Sequence, residues 1–150
     1  MLKLSRKTLL ALEAVIDIAF NARPEPVQAK EITARQGVPQ RYLEQVMQQL
    51  VRAGVLKGVR GPRGGYRLAK ERRRISIGDV VRVAESVEDA ENEEVLPRSD
   101  LGARIVGPLI ESLQEEVMKR LDGISIEDLC QRARSAGVDC SGRVSADFTI

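Results

Sequence analysis

From Gln40 to Ala53 the chain sets Gln40, Arg41, Glu44, Gln45, Gln48, Gln49 and Arg52 on one side of a helical repeat. Leu43, Val46, Met47 and Leu50 recur at spacings of three and four on the other. Glutamine can give two hydrogen bonds to an adenine edge and arginine two to a guanine edge in the DNA major groove. A solvated helix face is ordinarily rich in Glu and Lys, whereas this one is rich in amides. On composition alone a merely exposed helix is an equal reading, and the neighbouring segments decide between the two.

Downstream, Gly61-Pro62-Arg63-Gly64-Gly65 separates two short β runs, Val55 to Arg60 and Tyr66 to Ala69. Glycines allow the positive φ angles and close approach of a tight hairpin tip. Arg60, Arg63 and Arg67, with Lys57 and Lys70, line the hairpin. A plain turn with solvated arginines is the bland alternative. A nucleotide-cradling loop is rejected, because the Lys-Ser/Thr it requires is missing and Tyr66 follows instead. An amide-rich helix followed by a basic hairpin is the arrangement of a groove-bound helix with a wing beside it.

Those side chains need a platform. A short helix from about Ala29 to Gln36, a Gly37 turn and a helix opening after Pro39 have helix-turn-helix spacing. Proline's fixed φ suits that start, and Ile32 and Val38 are expected to pack the two helices together. In such docking Pro39, Gln40, Arg41, Tyr42, Glu44 and Gln45 enter the major groove, with Gln48 a turn further along and Arg60 and Arg63 on the wing. A first helix capped by Ser5 carries Leu9, Leu12, Ile16, Ala19 and Phe20 as its apolar face. Ser76 with Asp79 reads as a capping box opening a helix to about Ser86, with Ile77, Val80, Val81 and Ala84 inward.

Charge is polarised along the chain. Residues 1–84 hold 17 Lys/Arg against 7 Asp/Glu, a net +10, and residues 85–150 hold 7 against 15, a net −8. The overall +2 conceals one polyanion-binding half and one that is not. At 150 residues, 43% apolar and 31% charged, the chain suits one DNA-binding domain plus a dimerisation segment. It has no apolar run of membrane-spanning length and no signal-peptide core at its start, so a cytoplasmic location is expected. Internal repeats and low-complexity tracts are absent.

The matching segments LSRKTLLALEAVIDIA, EITARQGVPQRYLEQVMQQLVRAG, VRGPRGGYRLAK and ISIGDVVRVAES occur in order between Leu4 and Ser86. In them the chain resembles the Rrf-two family of bacterial winged-helix regulators. The resemblance covers over half the chain, and the RGPxGGY run joined to YLEQ is its specific part. It implies a homodimeric DNA-binding transcription factor in which Pro39, Arg41 and Glu44 face the major groove and Arg60 reaches the minor groove.

Beyond Glu85 the composition turns acidic and irregular to Asp100, with Pro97 inside, and reads as a linker. A helix from about Asp100 to Leu121 follows. Its stripe of Leu101, Ile105, Val106, Leu109, Ile110, Leu113, Val117, Met118 and Leu121 is too wide for a solvated helix and is expected to bury against a second copy, chiefly through Leu101, Ile105, Leu109, Leu113, Val117 and Leu121. Folding back on its own domain is the alternative. Pro108 should kink this helix or mark its real start. Ser125 and Asp128 cap a last helix to about Arg134. The expected organisation is therefore a winged helix-turn-helix over 1–86, a linker over 87–99, a helical dimerisation region over 100–136 and a flexible tail over 137–150.

Family members that sense through an iron–sulfur cluster place three cysteines in the segment corresponding to about 88–104. This chain has none there and no histidine anywhere, so no cofactor is expected and no metal site is assigned. Cys130 reads as a buried structural thiol. Cys140 lies in the polar tail, where redox sensing is an alternative, although only Arg143 nearby would lower its pKa. The effector stays open: a small molecule, a partner enzyme, or a cluster shared between subunits through Cys130 or Cys140.

Together these readings predict a mostly α protein with a small β-hairpin, a winged helix-turn-helix followed by a long dimerisation helix. It is expected to act as a homodimeric regulator, a repressor, on palindromic operators in double-stranded DNA. A winged-helix protein-interaction module without DNA binding is the first rival, but it has no reason to keep Arg60, Arg63 and Arg67. An enzyme is the second, and the chain carries no nucleophile–base pair, metal set or nucleotide loop to support one.

Overall fold

A computed structural model of the chain describes residues 4–21, 25–37, 39–91 and 99–138, and of Tyr42 and residues 87–91 the backbone alone. Local capping chemistry sets where the helices begin. Ser5 accepts the Thr8 N–H at 3.2 Å to open α1, Arg6–Phe20. Gln28 gives its N–H to the Glu31 carboxylate at 3.0 Å to open α2, Ala29–Gln36. Gly37, at φ 69°, closes α2 in the left-handed region. Pro39 at φ −63° then starts α3, Gln40–Arg52.

The inner face of α3 is the expected one: Leu43, Val46, Met47 and Leu50 are all buried. The face of α1 is not. Leu10, Ala11, Ala14, Val15, Ile18 and Ala19 are buried, Leu12, Ile16 and Phe20 are only partly covered, and Leu9 is 48% exposed. α1 packs against α4, Ile77–Glu91, and the side turned to its neighbours holds Leu10 and Ile18 together with Val15 and three alanines. Ile32 of α2 is buried as expected, whereas Val38 lies outside the described residues.

Strands β1, Leu56–Val59, and β2, Gly65–Leu68, pair antiparallel with Leu56 opposite Leu68 and Val59 opposite Gly65. A bridge outside the two strands, with no periodic signal in the sequence, comes from Val27, which exchanges two N–H···O bonds of 3.0 and 2.8 Å with Tyr66. The wing glycines serve two different needs. Gly61 takes φ 114°, whereas a Cβ on Gly65 would lie 2.4 Å from the Val27 carbonyl oxygen and one on Gly64 2.2 Å from that of Val59.

α4 opens on the Ser76–Asp79 capping box, with both bonds at 3.0 Å, and runs on to Glu91. It thus extends beyond Ser86 into residues expected to be linker. An acidic composition suggests a break there, but between Gly78 and Pro97 there is no Gly or Pro to stop the helix. Residues 92–98 of the expected linker lie outside the described residues. A π-helical segment, Gly102–Val106, leads directly into α5, Gly107–Asp122, with Pro108 in the first turn. The wider turn accommodates a ring that would meet the carbonyl four residues back in a continuous α-helix. Pro108 therefore marks the start of the α-helix proper.

α6, Ile126–Ser135, opens on the Ser125–Asp128 box, with bonds of 2.9 and 3.0 Å. Here the structure exposes a short repeat that the sequence reading overlooked. Ile75-Ser76-Ile77-Gly78-Asp79 and Ile124-Ser125-Ile126-Glu127-Asp128 lie antiparallel, with Ser76 opposite Ser125. Ile77 N–H donates to Ile124 O and Ile126 N–H to Ile75 O, each at 2.8 Å. Each copy thus makes one rung of a clip and caps the helix that follows it.

The clip places Ile126 and Cys130 in the same core as α3 and α4. Asp122 adds to it by resting against Gly78, where a Cβ would lie 1.9 Å from its Oδ1, and by accepting two bonds from Arg82 at 2.7 and 2.5 Å. That guanidinium holds the Asp122 carboxyl below its ordinary pKa. The segment expected as one dimerisation region, 100–136, is accordingly divided, and α6 completes the core of the winged domain. Cys140 and the tail from residue 139 lie outside the described residues.

Candidate nucleic-acid interface

α2 is held against α1 by a charged fork. Arg35 gives two bonds of 2.6 Å to the two carboxylate oxygens of Asp17, which also accepts from Asn21 at 3.2 Å. A bidentate pair of this kind fixes direction as well as distance. With α2 so anchored, the outer face of α3 presents Gln40, Arg41, Gln45, Gln48 and Arg52 to solvent, and Pro39 is exposed at its start. Glu44 and Gln49 are half-buried. Of Tyr42 only the backbone is described, inside the first turn of α3.

Gln40 donates to Glu44 at 2.9 Å, one helical turn away. That bond draws Glu44 toward a cleft of about 710 Å³ between α3 and the wing, lined also by Lys30, Arg60 and Tyr66. Burial and the Glu44 charge push the Tyr66 phenol above its usual pKa, so it keeps its proton and adds no negative charge here. Arg60 and Arg63 are exposed on the loop joining β1 to β2, with Arg63 at its tip. Lys57 and Arg67 face each other across the strands on the exposed side of the hairpin. The structure thus brings the amide-rich helix and the basic loop onto one side of the domain, separated by an open cleft. Lys30, in the first turn of α2, belongs to that cleft and was missed; a basic residue beside a helix-turn-helix start was the available signal.

The expected dimerisation stripe splits in two. Leu101, Ile105, Leu109 and Val117 are 72, 61, 56 and 45% exposed, joined by Val106 at 53%. Leu113 is half-buried, and Leu121 packs with Met118 against the chain's own core. The apolar surface left uncovered runs from Leu101 through the π segment and the start of α5, and reappears at Val117.

A resident iron–sulfur cluster does not fit these residues. Cys130 is fully buried among apolar side chains, and burial pushes its thiol above the ordinary cysteine pKa, away from the thiolate a ligand must be. Among the described residues no three His, Cys, Asp or Glu side chains are placed to hold a metal ion. No helix among them is long and apolar enough to cross a membrane.

Known proteins of this build are regulators. The family model of Rrf2, described as an iron-dependent transcriptional regulator, matches residues 4–132. The HTH-type transcriptional regulator IscR of Aliivibrio salmonicida is 35% identical over 129 residues, 85% of this chain and 77% of that protein. IscR of Vibrio vulnificus is 40% identical over 89 residues, 59% of this chain and 53% of its own length. The chain thus spans about half of that Vibrio relative. Among solved structures, T. potens IscR superposes with a TM-score of 0.68 at 30% identity, covering 99% of this chain and 97% of the other. CymR, the global cysteine regulator of B. subtilis, does so with a TM-score of 0.66 at 33% identity, covering 88% and 98%. The chain belongs to the Rrf-two family (Rrf2) and is a winged-helix, DNA-binding transcriptional regulator, not an enzyme.

Proposed function

We propose that this regulator is a cytoplasmic homodimer that represses transcription by occupying palindromic operators, and that it does so without an iron–sulfur cluster of its own. The observation that carries the DNA-reading part is the shared side of the exposed α3 face and the basic wing. In this reading Arg41, Gln45 and Gln48 meet base edges, Pro39, Gln40, Tyr42 and Glu44 line the entry of α3 into the major groove, Arg60 enters the minor groove and Arg63 meets phosphate. Two such modules related by a two-fold axis match a palindrome, and the exposed apolar stripe of α5 supports that pairing. The donor chemistry supports a signal other than a cluster held by this chain, either a small molecule or a partner protein.

Helix and wing should fail differently. Arg41→Ala and Gln45→Ala should each cost about 1–3 kcal/mol on the operator and little on random DNA, because each removes a base-edge contact. Arg63→Ala should weaken both about equally and reduce the slope of log affinity against log salt by about one, as expected for one phosphate contact. Titrating the variants against operator and scrambled duplex at several salt concentrations decides between the two behaviours. Uniform losses in all three would make this a nonspecific DNA binder.

Protein purified without oxygen should be colourless and should bind operator with no added iron. Iron and sulfide assays check this directly. A brown preparation with stoichiometric iron and sulfide, bleached by Cys130→Ala or Cys140→Ala, would overturn the cluster-free reading.

A further inference from the structure

The wing is a small hairpin whose strands pack on the core through Leu56, Tyr66 and Leu68, and further contacts hold its root. Two are backbone contacts: the Val27–Tyr66 rung, and the Ala69 N–H donating to Val55 O at 3.0 Å. A third lies beyond β2, where the chain enters a single 3₁₀ turn, Arg72–Arg74. The run Lys70-Glu71-Arg72-Arg73-Arg74 reads in sequence as a solvated or phosphate-touching turn, but its arginines part ways. Arg73 points outward, 70% exposed and paired with adjacent Glu71. Arg72 turns inward onto α6, where its Nε pairs with Glu127 and both side chains are partly buried, at 32 and 25% exposure.

We propose that Arg72 and Glu127 are positioning residues that brace the wing against α6 and so set how far Arg60 reaches into DNA. The inference rests on the wing being a DNA contact. Arg72 follows the end of the hairpin opposite the Gly61–Gly64 tip, so it acts on the wing's root and not as one more phosphate contact. α6 is clipped to Ile75 and Ile77 at its own start and follows α5 directly. The brace therefore gives the element that carries the exposed apolar stripe a covalent and hydrogen-bonded route to the wing.

Sign separates this from ordinary electrostatics. Removing the Glu127 carboxylate makes the protein more basic, which by itself tightens binding to a polyanion; losing the brace loosens it. The probe is a fluorescent duplex selected from a random library by the parent protein. Anisotropy titrations compare the parent, Glu127→Ala, Glu127→Gln, Arg60→Ala, Arg41→Ala, and Glu127→Ala combined with each arginine variant. Both Glu127 variants should weaken binding, Glu127→Ala by about three- to tenfold, and Arg60→Ala should cost less by a similar factor when Glu127 is already gone. Arg41→Ala should cost the same in either background. Unchanged or tighter binding by the Glu127 variants overturns the brace, as does equal coupling to Arg41 and Arg60, which would indicate general loosening. If Arg60→Ala is harmless in the parent, the wing reading itself fails and the brace falls with it, a result distinct from the first two.

Discussion

Leu109→Glu should turn the protein into a folded monomer and lower operator affinity by about a hundredfold or more, the usual scale of an avidity loss when one of two linked sites is removed. Leu109 is 56% exposed and lies outside the chain's own core, so the substitution removes nothing that holds the protomer together. In a two-fold interface the same substitution occurs twice. Each copy forgoes about 1.5–3 kcal/mol of apolar burial. Each also sets a carboxylate in the expected apolar interface, a further desolvation penalty. Light scattering at micromolar concentration together with operator titration checks the prediction, and circular dichroism establishes that the fold is kept. A parent protein that is itself a monomer, or a variant that remains a tight dimer, would remove the stripe of α5 as the interface.

Ile126→Ala should destabilise the whole winged domain by about 2–5 kcal/mol, as large-to-small substitutions at closed core sites do. Ile126 is fully buried, and its N–H is one rung of the clip to Ile75. Against a typical total of about 5–15 kcal/mol, that loss leaves a marginal protein that binds DNA poorly, although the residue is far along the chain from α3 and the wing. Urea unfolding followed by circular dichroism should show one cooperative transition moved to lower denaturant. Two transitions, with only the smaller one moved, would mean that α6 belongs to an independent unit.

The two predictions differ because α5 and α6 stand in different surroundings, and only the apolar repeat of the first is legible along the sequence. The apolar repeat from Leu101 to Leu121 was visible as periodicity, but periodicity assigns no partner. The structure gives Leu121 to the chain's own core and leaves Leu101, Ile105 and Leu109 uncovered. α1 teaches the same point from the other side. It is apolar around most of its circumference, so pattern alone does not fix the inner face, and packing against the rest of the fold decided which side is buried.

What the amino-acid sequence determined by itself was local. The caps at Ser5, Ser76 and Ser125, the two faces of α3, the Gly37 turn and the basic glycine loop each depend on residues within a few positions of one another. The family resemblance was legible because those pieces are contiguous. Tertiary structure alone decided the Val27 rung on Tyr66, the seat of Asp122 on Gly78 and the turn of Arg72 toward Glu127. Each joins segments distant in sequence through one or two contacts, and a single contact leaves no repeat, spacing or composition to read. Its partner is set only when burial of the shared core has brought the elements together.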